Sequence, residues 1–187
     1  MLAAVLAIIL FGSGIPFYSM GIFYNPLVEH FGWGRGGYSV GISLYFAFGA
    51  AFSPLIGRAI DHYGAKPVML IGSAWSGLLW ILFGQIGSFW PAGAQYQLYV
   101  AYGGLGISEA CLGFVPCSRL VANWFVKNRG IAMGIAIAGF SLPGVVLVPL
   151  SAPFLDAYSW RTLGIVLGVL VWLFVIPIVA FVIRDKP

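Results

Sequence analysis

Few side chains in this sequence are able to do chemistry, and Glu109 is the sharpest of them. It stands about midway between Gln97 and Arg119 in an otherwise apolar run. An acid at the bilayer centre costs roughly 2.5–3.5 kcal/mol on insertion scales, so the default reading is a functional group facing a cavity. Proton uptake and release, or contact with a polar cargo, is the chemistry open to it. The alternative is a protonated structural glutamate, hydrogen-bonded to Ser108 or to a neighbouring helix. Asp61 belongs to the polar stretch Gly57-Arg58-Ala59-Ile60-Asp61-His62-Tyr63-Gly64-Ala65-Lys66. Asp61, Tyr63 and Lys66 follow the spacing Asp-x-Tyr-x-x-basic, and Asp156, Tyr158 and Arg161 repeat it. Tyr18 and Tyr102 carry hydroxyls that can bond a polar ligand, or serve as packing rings.

Other chemistries lack parts. Ser141 sits in Gly139-Phe140-Ser141-Leu142-Pro143, but His30 and His62 fall in predicted loops on opposite faces. A serine nucleophile at depth would have no base beside it, so enzymatic function is not expected and no catalytic residue is assigned. Cys111 and Cys117, six apart on one predicted helix, cannot face each other and read as packing thiols. Neither cysteines nor histidines show metal-ligand spacing. No metal and no cofactor is expected.

The elements that position these groups are membrane spans. Only 7% of residues are charged and 61% are apolar, against roughly 25% charged in soluble proteins. Six apolar runs reach the ~20 residues a spanning helix needs, at about 2–24, 38–60, 67–88, 97–119, 130–154 and 162–183. They are continuous rather than alternating, which excludes a barrel. Arg58, Lys66, Arg119, Lys127, Arg129, Arg184 and Lys186 fall on one side, and Arg35 and Arg161 on the other. By the positive-inside rule both termini are cytoplasmic. The net charge of +4 is thus a topological signal and gives no support to a nucleic-acid partner. Trp33, Trp90, Trp124 and Trp160 fit interfacial belts. The first run lacks the basic region of a secretory signal, and its start within a residue or two of Met1 points to a clipped or misassigned beginning.

Span composition separates walls from flanks. Gly12, Gly14, Pro16 and Gly21 in the first span, and Gly139, Pro143, Gly144, Pro149 and Pro153 in the fifth, predict kinks and close approaches. Ser13, Tyr18, Ser19, Ser108, Glu109 and Ser141 lie near mid-depth in spans one, four and five, which are therefore the expected cavity walls. The sixth span has no strong polar group after its start and is expected at the lipid-facing periphery.

These residues carry a resemblance. Gly57, Asp61, Gly64 and Lys66 match the signature Gly-x-x-x-Asp-Arg/Lys-x-Gly-Arg/Lys-Arg/Lys of the major facilitator superfamily, with His62 and Ala65 departing from it. Trp124-Phe125-Val126-Lys127-Asn128-Arg129-Gly130, then Met133-Gly134-Ile135 and Ala138-Gly139, resembles the same superfamily's junction between spans four and five. Tyr24-Asn25-Pro26-Leu27 and Phe31-Gly32-Trp33-Gly34-Arg35 look like its bacterial monocarboxylate porter and oxalate/formate antiporter-like branch.

The resemblance implies an all-α polytopic membrane protein with six transmembrane helices as two inverted three-helix repeats, forming the N-terminal half of a 12-helix carrier. The chain is read as a single transmembrane domain over 1–187, ending at Arg184-Asp185-Lys186-Pro187 where a central linker would begin. The implied function is secondary transport of a small solute, a monocarboxylate or other organic anion, by alternating access with proton coupling or exchange. The alternative is a non-transporting half-carrier acting as an assembly or partner subunit. Gly57, Arg58, Asp61, Gly64, Lys66 and Arg119 would form the conformational loop, with Asp61 latching one access state, although a solvated loop fits the same residues. Glu109, Tyr18 and Ser141 are the candidate proton-coupling or cargo contacts. The expected partners are the cargo and protons, the lipid bilayer, and either the missing six-helix half or a second copy. Animal members of the branch have a lysine in span one where this chain has Tyr18, and no Lys or Arg lies mid-membrane here to meet a carboxylate.

Overall fold

The computed structural model describes residues 1–88, 90–125 and 127–183. Val126, Arg184 and Lys186, used above for the junction motif and the charge asymmetry, lie outside the described residues, as do Asp185 and Pro187. Among the described residues there are only helices and turns. Six helices are long and apolar enough to cross a membrane: α1 Leu2–Phe31, α2 Arg35–Tyr63, α3 Ala65–Phe83, α4 Pro91–Trp124, α5 Arg129–Ala157 and α6 Trp160–Val182. The expected all-α, six-span class is what the chain adopts.

Several boundaries differ from the apolar runs, for local reasons. α1 continues past residue 24, carries Pro26 inside it, and stops at Gly32, whose φ is +66°. The polar stretch read as a loop is mostly helix. α2 runs through Asp61 and His62 to Tyr63, Gly64 turns the chain at φ +89°, and α3 begins at once with Ala65. A left-handed φ at a helix end suits glycine because it has no Cβ to clash. His30 and His62 accordingly sit in last helical turns rather than in loops. α3 ends at Phe83 rather than near residue 88, giving way to a turn through Gly84 and Gly87.

Two spans depart from plain α-helix where the site lies. α1 loosens into a π-turn over Leu10–Gly14, just before Pro16. α4 divides into Ala94–Leu112 and Phe114–Trp124, with Gly113 extended between them (φ −78°, ψ −145°). Pro116, on the far side of that break, has no N–H to continue the ladder. α5 absorbs Pro143, Pro149 and Pro153 without breaking.

The packing repeats itself. α2 runs along α4, α1 along α5, and α3 against α6. Exchanging helices one to three with helices four to six turns the first pair into the second and leaves the third unchanged, as an inverted repeat requires. The echoed charges obey the same exchange. Lys66, second residue of α3, donates to the Ala180 carbonyl at the far end of α6 at 2.6 Å. Arg161, second residue of α6, donates to the Ile86 carbonyl just beyond α3 at 3.1 Å. Lys66 thus meets a carbonyl in the last turn of α6, where the helix leaves acceptors open, and Arg161 meets one in the turn that follows α3. Between them the Trp172 indole donates to the Ala74 carbonyl at 3.0 Å. Hydrogen bonds from charged groups are worth about 1.5–3 kcal/mol. Lys66→Met and Arg161→Met should therefore each lower the detergent-solubilised thermal midpoint by several degrees, and unchanged midpoints would remove the clasp.

α6 flanks the bundle on α3, yet it is not the most exposed helix. Within the most apolar window of each span, 28% of α6 is buried against 11% of α2 and 22% of α5. The bare faces of this unit thus belong mainly to α2 and α5.

Candidate functional site

Glu109 lies in the last turn of the first α4 segment, four residues before the break at Gly113. The missing Cβ at Gly113 is what gives the carboxylate its room, since a Cβ there would overlap Oε1 and approach Cδ to 3.0 Å. Its other oxygen, Oε2, accepts a hydrogen bond from the Tyr45 hydroxyl on α2 at 3.1 Å. Ser13, in the π-turn of α1 and 2% exposed, lies beside the carboxylate, but its buried hydroxyl completes no hydrogen bond of normal geometry. An unsatisfied buried hydroxyl costs of order 1–3 kcal/mol, so this position is under-satisfied as it stands.

Tyr45 and Glu109 are one rung of a seam. Seven residues earlier on each helix stand Tyr38 and Tyr102, their hydroxyls 2.5 Å apart. Tyr38 gives its proton to the Met20 carbonyl of α1 at 2.7 Å, so Tyr102 must be the donor to Tyr38. The two rungs are separated by about 10.5 Å along the helices at 1.5 Å per residue. Between them Gly106 brings α4 onto the backbone of Tyr45 and Gly49.

Two cavities border Glu109. One of about 250 Å³ is lined by Ile9, Ser13, Glu109, Phe114, Ile137 and Phe140. The other, about 330 Å³, is lined by Phe17, Tyr45, Phe46, Gly49, Ala50, Glu109 and Phe140. Glu109 and Phe140 are common to both. Tyr18 and Ser141 line neither: the Tyr18 ring packs beside Phe17, Phe140 and Gly144, and Ser141 is exposed on α5. Ser19 and Ser108 bond back to Pro16 and Gly104 within their own helices, and Tyr102 is committed to Tyr38. Cys111 and Cys117 are buried and free, with the Cys117 thiol donating to the Leu112 carbonyl at 3.4 Å. Among the described residues no group of His, Cys, Asp or Glu has the geometry to hold a metal ion. Sequence reading did not single out Tyr45, Phe17, Phe46 or Phe140. The equal spacing Tyr38/Tyr45 and Tyr102/Glu109 was an available signal for the first of these.

At the α2–α3 end, Asp61 forms an ion pair with Arg119 of the second α4 segment. The side chains are 69% and 42% exposed, and exposed pairs contribute about 0–1 kcal/mol. That is too little to matter for folding. It is enough to bias two conformations of similar energy. Ile60, Asp61, His62, Gly64 and Arg119 line a small polar pocket there. Gly57 and Arg58 lie about one turn before Asp61 on α2, and Lys66 points instead to α6.

An acid at the break of a discontinuous helix, flanked by two cavities inside an inverted repeat, is an arrangement found in secondary carriers. Comparison with known proteins agrees. Monocarboxylate transporter 1 of Mus musculus is 29% identical over 126 residues, covering 67% of this chain and 24% of that protein. Monocarboxylate transporter 4 of the same species is 29% identical over 155 residues, 80% of this chain and 31% of that protein. The Fujikurins efflux protein of Gibberella fujikuroi is 30% identical over 122 residues, 64% of this chain and 24% of that protein. The matches thus span about a quarter to a third of these relatives' length. The profile of the Major Facilitator Superfamily matches residues 6–187, nearly the whole chain, and the protein belongs to that superfamily of membrane transporters.

Proposed function

We propose that this chain is the N-terminal six-helix half of a secondary active transporter. It moves a small organic solute, a monocarboxylate or other organic acid, by alternating access with proton coupling or exchange. The observation that carries this reading is Glu109, held by Tyr45 and shared by two cavities. A single carboxyl reachable from two cavities is able to take up a proton from one and release it to the other. The monocarboxylate transporters among the relatives support the solute class. Six helices enclose only part of a central site, so the exposed faces of α2 and α5 are the seam for a second half, either downstream sequence or another copy. Arg58, Lys66, Arg119, Lys127 and Arg129 against Arg35 and Arg161 favour cytoplasmic termini in a cell membrane.

In this scheme the Asp61–Arg119 pair, with Gly57, Arg58 and Gly64 beside it and Lys66 tying α3 to α6, latches one access state. Asp61→Asn should slow turnover several-fold while leaving cargo affinity within about twofold. Normal turnover at normal expression would remove the latch. The reading as a whole is tested by solute uptake into proteoliposomes holding this chain alone or with the second half supplied. Uptake that appears only with the second half supports a half-carrier. No uptake in either case favours a non-transporting partner subunit.

A further inference from the structure

The walls around Glu109 are aromatic. Phe46 meets Tyr45 edge-on with ring centres 5.3 Å apart, and Phe17 lies 6.3 Å from Phe46 and 5.1 Å from Phe140. All four rings line one cavity with the carboxylate, and its remaining residues, Gly49 and Ala50, add no polar side chain. Neither cavity beside Glu109 is lined by Lys, Arg or His. A carboxylate end of the cargo would meet a like group here with nothing to offset it. A cation would meet the carboxylate's charge among aromatic rings, whose faces draw cations within about 6 Å of their centres. Hard metal cations ask for about six or more oxygen ligands, whereas this cavity offers one carboxylate and one phenolic oxygen. The chemistry that fits is an organic ammonium.

We propose that the Glu109 cavity binds a protonated amine of the cargo, with the carboxylate as its counter-ion and Phe17, Phe46 and Phe140 as its cage. This rests on the reading that Glu109 faces the transport cavity, and it names the group the cavity takes. The cargo then carries an ammonium on an apolar body. Any carboxylate it also bears is met outside these two cavities, which makes an amino-acid-like zwitterion the natural class.

The protein at its full encoded length, in lipid nanodiscs, is titrated calorimetrically with 2-phenylethylamine, 2-phenylethanol and 3-phenylpropionate. The three share a phenyl body and differ in the charge of the end group. The amine should bind at least about tenfold more tightly than the other two, and Glu109→Gln should erase that margin. Phe46→Leu, a mild change at an exposed ring, should weaken the amine about fivefold more than the alcohol. Size-exclusion profiles confirm that both variants are folded. Equal binding of amine and alcohol overturns the cage, as does an amine preference that survives Glu109→Gln. Phenylpropionate binding that alone depends on Glu109 overturns the cage but keeps Glu109 in the transport cavity. Three probes all indifferent to Glu109→Gln overturn both.

Discussion

Glu109→Gln should abolish the response of uptake to a proton gradient. In proteoliposomes carrying the complete carrier, the variant is expected to lose at least about a hundredfold in gradient-driven uptake, the low end of what positioned proton-transfer groups contribute. Solute-for-solute exchange should persist at saturating cargo, because it needs no net proton movement and the weaker cargo binding expected without the carboxylate is then offset. Glutamine keeps the size of the side chain and can still accept from the Tyr45 hydroxyl, which now bonds Oε2 at 3.1 Å. The helix break at Gly113 should also survive, since it depends on backbone geometry and Pro116 rather than on charge. A variant with wild-type pH dependence would return Glu109 to the status of a structural acid.

The largest effect on stability should come from Gly106→Ala. Replacing glycine by alanine in a helix ordinarily gains up to about 1 kcal/mol. At Gly106 the new Cβ would overlap the Tyr45 carbonyl oxygen and stand 2.9 Å from its carbon and 3.1 Å from the Gly49 nitrogen. These are backbone atoms that cannot rotate away, so α2 must move. Overpacking of this kind costs about 1–3 kcal/mol, enough to outweigh the propensity gain. Gly103→Ala, one turn earlier, is the control. Its Cβ would meet only the Phe48 ring at 3.6 Å, an ordinary contact. Thermal melts in detergent should show Gly106→Ala falling and Gly103→Ala unchanged or slightly higher. If both moved in the same direction, the close crossing of α2 and α4 would not be what holds the seam.

The spans were legible in the sequence because hydrocarbon thickness leaves little freedom: a run of about 20 apolar residues has few other fates. Their ends were less so. Gly64 and Gly32 stop helices that polar residues do not, so Asp61 and His62 proved to be helical. The repeat was visible in the spacing of Asp61, Tyr63 and Lys66 against Asp156, Tyr158 and Arg161. Its physical content, each basic residue reaching a carbonyl at or just past the far end of the other's helix, needed the packing of α3 on α6. Glu109 announced itself by the cost of an acid at depth. Its surroundings did not, because Tyr45, Phe46, Phe17 and Phe140 are ordinary residues for a membrane helix and only α2, α1 and α5 together make them a wall. Serines misled for a related reason. Ser19 and Ser108 satisfy themselves on their own helices, and only Ser13, in the π-turn, is left facing the acid.

The central claim is that Glu109 borders a water-filled transport cavity rather than a packed interior. Ala50 lines the Glu109 cavity from α2, and Leu78 is exposed in the second half of α3. Cysteines introduced singly at these positions can be challenged with a charged, membrane-impermeant thiol reagent in the complete carrier, with buried Cys111 and Cys117 as internal background. The account predicts that Ala50→Cys reacts and is protected by cargo, while Leu78→Cys stays inert in lipid. An unreactive Ala50→Cys, or equal labelling of both, would contradict it.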